Sequence, residues 1–266
     1  MPNARDPKLG RFAAIEAAQP VSEPPAAKET PILLGQVAIL SVFLGRDGKA
    51  WTDEEIARAH ESLRLAGDWI EREAMRWGAA VNLAVADTYF AVDDDPSDDV
   101  EIAFVPEGDG SAPLEAHAGP KALAAFSRAA ARLGFADAEA MIQVIDRRVR
   151  ADSWVWLLHP RCAGRSLAIP EGDTPWPGVT LAVCYAREAN FPEPLRRAPY
   201  SDPVTFAHEL LHLFGATDKY TVPLRTFPAR SVTDRDIMRL SYESLGRLRI
   251  DQLTAAEVGW PQSPRA

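Results

Sequence analysis

The sequence predicts an α+β fold, a mixed twisted sheet backed by helices and closed by a smaller segment behind a buried helix. Three observations predict it. Strand patterns and one long amphipathic helix alternate between residues 31 and 186; a helix apolar nearly all round, yet carrying His-Glu and His, follows at 203–214; a short remainder with one more helical pattern completes the chain. Strand, helix and strand followed by further strands place helices on a sheet.

Taken in order, residues 1–30 are rich in Pro, Ala and Glu with balanced charges and read as a disordered tail. "QVAILSVFLG" is an apolar run with the length and β-branched content of a buried strand, ended by a turn at "RDG". "TDEEIARAHESLRLAGDWIEREAMRW" opens on a Thr52/Glu55 capping box and carries Ile56, Ala59, Leu63, Ala66, Ile70, Ala74 and Trp77 at helical spacing. "AAVNLAVADTYFAV" and "VEIAFV" read as two strands flanking the acidic loop "DDDPSDD", which lacks the Gly and terminal Glu of an EF-hand loop and reads as a solvated turn. Residues 120–150 read as helical, broken at Gly134 and restarting at Asp137. "SWVWLLHP", "RSLAIP" and "VTLAVCYA" supply three more strands.

Composition sets the class. With 266 residues, 47% hydrophobic and 25% charged, the chain has the material for one globular domain over 31–266, with an upper lobe 31–214 and a lower lobe 215–266. A net charge of −9 argues against general nucleic-acid or anionic-membrane binding, since either partner repels the protein as a whole. No run is apolar enough for a signal peptide or a membrane span, so the expectation is a cytoplasmic monomer, with export by a non-classical route compatible with the same sequence. Cys162 and Cys184 read as two buried thiols rather than a bridge.

The chemistry sits in "HELLHLFGATDKY", residues 208–220. Asp202 before Pro203 is an N-cap and N1 pair, and no helix breaker follows until Gly215, placed as the C′ residue. His208 and His212 are thus i and i+4, on one face and one turn apart, as two imidazoles on one tetrahedral ion must be. Glu209 is rotated about 100° from His208, which suits a carboxylate acting on water beside the metal rather than on the metal. A buried helix carrying these groups needs a partner for them, and a metal is one.

With Gly215 and Asp218 the motif extends to H-E-x-x-H-x-x-G-x-x-D, and Tyr220 follows two residues later. This pattern resembles the metzincin clan of zinc peptidases, in particular its snapalysin-like branch, which has Asp where most of the clan has a third His. The resemblance implies Zn2+ held by His208, His212 and Asp218, with Met238 of "DIMRL" as the Met-turn methionine beneath it. It also makes 52–77 the clan's long N-terminal helix and "IDQLTAAEVGW" its C-terminal one. Motif resemblance spans residues 202–260. Two departures stand out: Leu240 occupies the position where several metzincins have a zinc-binding Tyr, with Tyr242 too late to replace it, and no propeptide cysteine switch is present.

A gluzincin-type site would instead recruit Glu243 or Glu257, and a third imidazole would have to come from His60, His117 or His159. His159 and Cys162 in "HPRCAG" are a weaker metal pair. The spacing and Met238 favour Asp218. Two imidazoles and a carboxylate leave an open fourth position, where bound water is acidified toward a pKa of about 7. Glu209 then serves as general base and returns the proton to the leaving amine. Tyr220 and Tyr242 are the candidates to donate a hydrogen bond to the oxyanion, with a buried structural Tyr the first reading for each.

The function expected is a zinc endopeptidase acting on a protein or peptide. The substrate would bind extended along an open sheet edge, with "GRSLAIP" as the candidate edge. Two alternatives share the zinc residues: an amidohydrolase for a small amide, and a non-catalytic binding module of zincin fold.

Overall fold

The computed structural model describes residues 32–46, 48–92, 114–148, 150–164, 166–188, 202–220, 222–228, 231–239 and 243–261. The tail 1–30, the acidic loop, the "VEIAFV" segment and Tyr242 lie outside them.

Strand β1 (Gly35–Leu44) runs through the middle of the sheet, and nearly every side chain along it is buried. Helix α1 (Asp53–Trp77) begins at the expected box: Thr52 accepts from Glu55 N, and Glu55 accepts from Thr52 N. It ends on Gly78, whose φ of 77° is the left-handed conformation that glycine adopts without a Cβ clash. The single strand expected over 79–92 is instead two, β2 (Val81–Val85) and β3 (Phe90–Val92). Both pair parallel with β1 on the side away from β4 (Ser153–Pro160), so "ADTY" interrupts one line of pairing rather than starting a new one.

Helix α2 (Leu114–Arg132) starts ahead of the expected residue 120 and contains Pro120. Pro120 is the seventh residue of this helix, beyond the first turn, so its missing N–H costs the helix one ladder bond. Gly134, at φ 89°, ends that helical stretch, and Asp137 caps helix α3 (Ala138–Asp146) by accepting from Ala140 N.

Short strands β5 (Ala163–Gly164) and β8 (Arg187–Glu188) pair with each other, while β6 (Leu167–Ile169) and β7 (Thr180–Val183) join the main sheet. The order β2-β1-β4-β7-β6, with β3 beside β1, makes a six-stranded mixed sheet. Pairing is parallel except for β6, which lies antiparallel at one edge. Among the described residues the fold is therefore a mixed sheet with five α-helices, consistent with the α+β class.

Alternation along the strands sends side chains to two cores. Val37, Ile39, Val155 and Leu157 pack with α1 and with helix α4 (Pro203–His212). Leu40, Val42, Trp156 and Leu158 pack with α2 and α3 on the opposite face. The chain after α4 forms short 3-10 turns and helix α5 (Gln252–Glu257), and Trp77 Nε1 donates to the Ile250 carbonyl to hold this segment against α1. No helix among the described residues is long and apolar enough to cross a membrane. Cys162 and Cys184 are not bridged.

Candidate metal centre

Local sequence fixes α4 at both ends. Asp202 accepts from Val204 N (2.7 Å) and Thr205 N (3.3 Å), meeting two of the donors a helix start leaves without partners. After His212 the chain tightens, and Gly215 N donates to the His212 carbonyl while Ala216 N donates to that of Leu211. This bond pair, with Gly215 at φ 95°, is a Schellman ending in which Gly215 is the C′ residue. It turns the chain back so that Asp218 faces the helix that carries the two histidines.

Three ligand atoms converge there. His208 Nε2 and His212 Nε2 are 3.0 Å apart, and each lies 3.2 Å from Asp218 Oδ1. Donors about 2.0–2.1 Å from a tetrahedral zinc stand about 3.3 Å from one another, so the triangle has the size of one face of a zinc site. Among the described residues, this is the group of His, Cys, Asp and Glu able to hold a metal.

The tautomers agree with that role. His208 Nδ1 lies 3.2 Å from the Ile237 carbonyl and His212 Nδ1 2.7 Å from that of Ala216. A carbonyl only accepts, so each Nδ1 carries a proton, which leaves Nε2 as the nitrogen whose lone pair a neutral ring offers to the centre. Asp218 Oδ1 is buried there with the two Nε2 atoms beside it. Two imidazoles and one carboxylate brought together in this way could hold a metal ion.

Electrostatics follow the same geometry. Burial holds His208 below its usual range, outweighing the Asp218 carboxylate beside it. Burial also opposes charge on His212, but Asp218 and then Glu209 outweigh it and raise this imidazole. For Asp218, burial disfavours the carboxylate, yet the two imidazoles prevail and hold it well below the ordinary range. The side chains of His208, His212 and Asp218 are 7%, 19% and 29% exposed, so the centre opens toward solvent on the His212 and Asp218 side.

Glu209 is buried on the same helix, outside the ligand triangle, as its one-residue offset from His208 predicts. Met238 is fully buried in the turn Ile237–Arg239 and belongs to the core that includes Leu210, Leu211 and Leu213. Its turn also supplies the Ile237 carbonyl that orients His208. Tyr220, expected either to support an oxyanion or to be structural, donates its hydroxyl to Asp218 Oδ2 at 2.8 Å.

The rival ligands go elsewhere. Glu257 accepts from Thr217 and Lys219, and Glu243 is exposed beside Arg247. His159 Nε2 contacts Ser41 Oγ (3.2 Å) with its ring stacked on Phe43, and His60 packs edge-on to Phe43 and Tyr89. Cys162 Sγ accepts from Arg46, so "HPRCAG" forms no metal pair. His117 lies within α2, and its side chain is outside the described residues.

Sequence reasoning missed the supports. The acceptor carbonyls of Ile237 and Ala216 carry no residue signal, because any residue has a carbonyl. Asp236, fully buried and accepting from Met238 N, Asp251 N and Thr254 Oγ1, was legible only as one more acidic residue in "TDRDIM". Comparison of the chain with protein-family models and with curated proteins yields no match.

Proposed function

We propose that this chain is a zinc-dependent endopeptidase similar to the metzincins, with His208, His212 and Asp218 as ligands and Glu209 as general base. The observation that carries the reading is the convergence of His208 Nε2, His212 Nε2 and Asp218 Oδ1 within 3.0–3.2 Å, both Nδ1 atoms being committed to carbonyls. Zinc held by these residues supplies Lewis acidity toward water and toward a peptide carbonyl. The Nδ1 bonds fix the tautomer of both imidazoles and aim their Nε2 atoms at the centre. Glu209 takes the proton of the attacking water and delivers it to the leaving amine, so that it ends the cycle ionised as it began.

One further feature supports a peptide as substrate and a second supports catalysis. Strand β6 lies at the edge of the sheet next to α4, with Ala168 packed into the same core as the metal helix. An extended chain laid along that edge gains main-chain hydrogen bonds beside the metal helix. Second, a buried general base on the metal helix has no task in a purely structural site, which speaks against a binding module. Helix α1, the Met238 turn and α5 stand in the order that the metzincin resemblance implies.

The test is zinc content and hydrolysis together. The purified chain is expected to carry about one zinc per molecule and to cleave a peptide library, and Glu209→Ala to keep the zinc and lose the cleavage. Undiminished cleavage by that variant would sink the general-base assignment.

A further inference from the structure

We infer that the buried Lys219 and the half-buried Glu257 form a clamp whose task is to hold Asp218 at ligand distance; the inference rests on the metal-centre reading above. Asp218 sits between two residues that are both tied to one carboxylate. Glu257, on α5, accepts from Thr217 N (3.1 Å), Thr217 Oγ1 (2.7 Å) and Lys219 Nζ (2.6 Å). Lys219 Nζ also donates back to the Thr217 carbonyl at 2.9 Å, closing the loop around Asp218. The main chain is pinned as well: Lys219 N donates to the Met238 carbonyl, and Arg239 donates to the Lys219 carbonyl, each at 2.8 Å.

Two physical points make this more than loop packing. The Lys219 side chain is 1% exposed. A buried ammonium is costly, and replacing such a pair by apolar groups is often neutral or better for stability, so stability alone is a weak reason to bury one here. The second point is reach. A carboxylate oxygen lies closer to its Cβ than an imidazole Nε2 does, so an aspartate ligand needs its backbone brought nearer the centre than a histidine would. A loop drawn in from both sides of Asp218 meets that need, and the points that draw it in are Thr217 and Lys219. Lys219 and Glu257 touch no ligand atom; they are positioning residues.

The test compares wild type with Lys219→Met/Glu257→Gln, which removes the charge pair while keeping volume and an acceptor for Thr217. Thr217→Val, which deletes one hydroxyl bond and leaves the ion pair, is a milder probe should the double variant fold poorly. Each is titrated with zinc against a competing chelator, loaded with Co(II) for its absorption spectrum, and unfolded in urea without metal. Zinc affinity is expected to fall about 10- to 100-fold in the double variant and severalfold in Thr217→Val. The Co(II) bands should weaken as water replaces a displaced Asp218 oxygen, while the metal-free unfolding midpoint changes little. Wild-type affinity and spectrum in both variants would overturn the clamp. Asp218→Ala in the same titration separates the two ideas: if it also binds zinc like wild type, the ligand assignment has failed and the clamp with it, whereas if it alone loses zinc, only the clamp has failed.

Discussion

Tyr220 donates its hydroxyl to Asp218 Oδ2 at 2.8 Å, on the oxygen opposite the one that faces the two imidazoles. The bond fixes the rotation of a carboxylate whose Oδ1 must point at the centre. Tyr220→Phe is therefore expected to weaken zinc binding by about tenfold. A Tyr that instead steadied an oxyanion would leave affinity intact and lower kcat by about a hundredfold. Chelator competition and kcat measured on one preparation tell these apart.

Met238 plays two parts that can be separated. Its backbone accepts from Lys219 N and donates to Asp236, while its side chain fills the core under α4. Met238→Leu keeps the volume and the backbone, so it should cost less than about 1.5 kcal/mol and leave zinc bound. Asp236→Ala should cost far more, about 3 kcal/mol, because Met238 N, Asp251 N and Thr254 Oγ1 lose a common acceptor in the interior. Urea unfolding of both variants checks the contrast, and similar losses would refute it.

Much of this site was legible because its signals are local. The i, i+4 histidines, the Asp202 cap and Gly215 all act within one helix, where spacing alone determines direction. Strand "SWVWLLHP" was legible for a similar reason, as an unbroken apolar run bounded by polar residues. The split between β2 and β3 was not, since "ADTY" interrupts pairing without any strong breaker in its sequence. The link from Glu257 to Thr217 and Lys219 was not legible either. It joins residues some forty positions apart, and the sequence offers Glu257 only as a rival metal ligand until the tertiary contact is known.

Two histidines outside the centre give the fold a pH dependence of their own. His60 is depressed to about 4, by burial first and then by Arg64, against the opposing pull of Asp87. His159 is depressed to about 3 by burial and then by His60. Both are neutral in the folded chain and bind protons more readily once unfolded. Their contribution is complete above about pH 6.5 and is lost as pH falls toward 4 for His60 and toward 3 for His159, at about 1.4 kcal/mol per pH unit for each. His60→Leu should therefore flatten the decline between pH 6 and pH 5 relative to wild type. Urea midpoints at the two pH values, both chains measured with chelator so that the metal ligands titrate alike, give the slope, and parallel slopes would rule out His60 as a contributor.

The identity of the third ligand is open to a direct test, because the structure separates the competing residues in space. Asp218 Oδ1 is 3.2 Å from both imidazoles, whereas Glu243 is 49% exposed beside Arg247. Asp218→Ala removes a charged oxygen donor that water replaces poorly, so zinc affinity should fall by about a hundredfold or more. Glu243→Ala should leave it at the wild-type value. Asp218→His is the more searching variant. An imidazole restores a third donor, but it reaches farther than a carboxylate from a backbone held on both sides by Thr217 and Lys219. Its affinity should accordingly lie between those of Asp218→Ala and wild type. Titration of the three variants against one chelator settles the matter: wild-type affinity in Asp218→Ala, with collapse in Glu243→Ala, would move the site to a gluzincin-type ligand set.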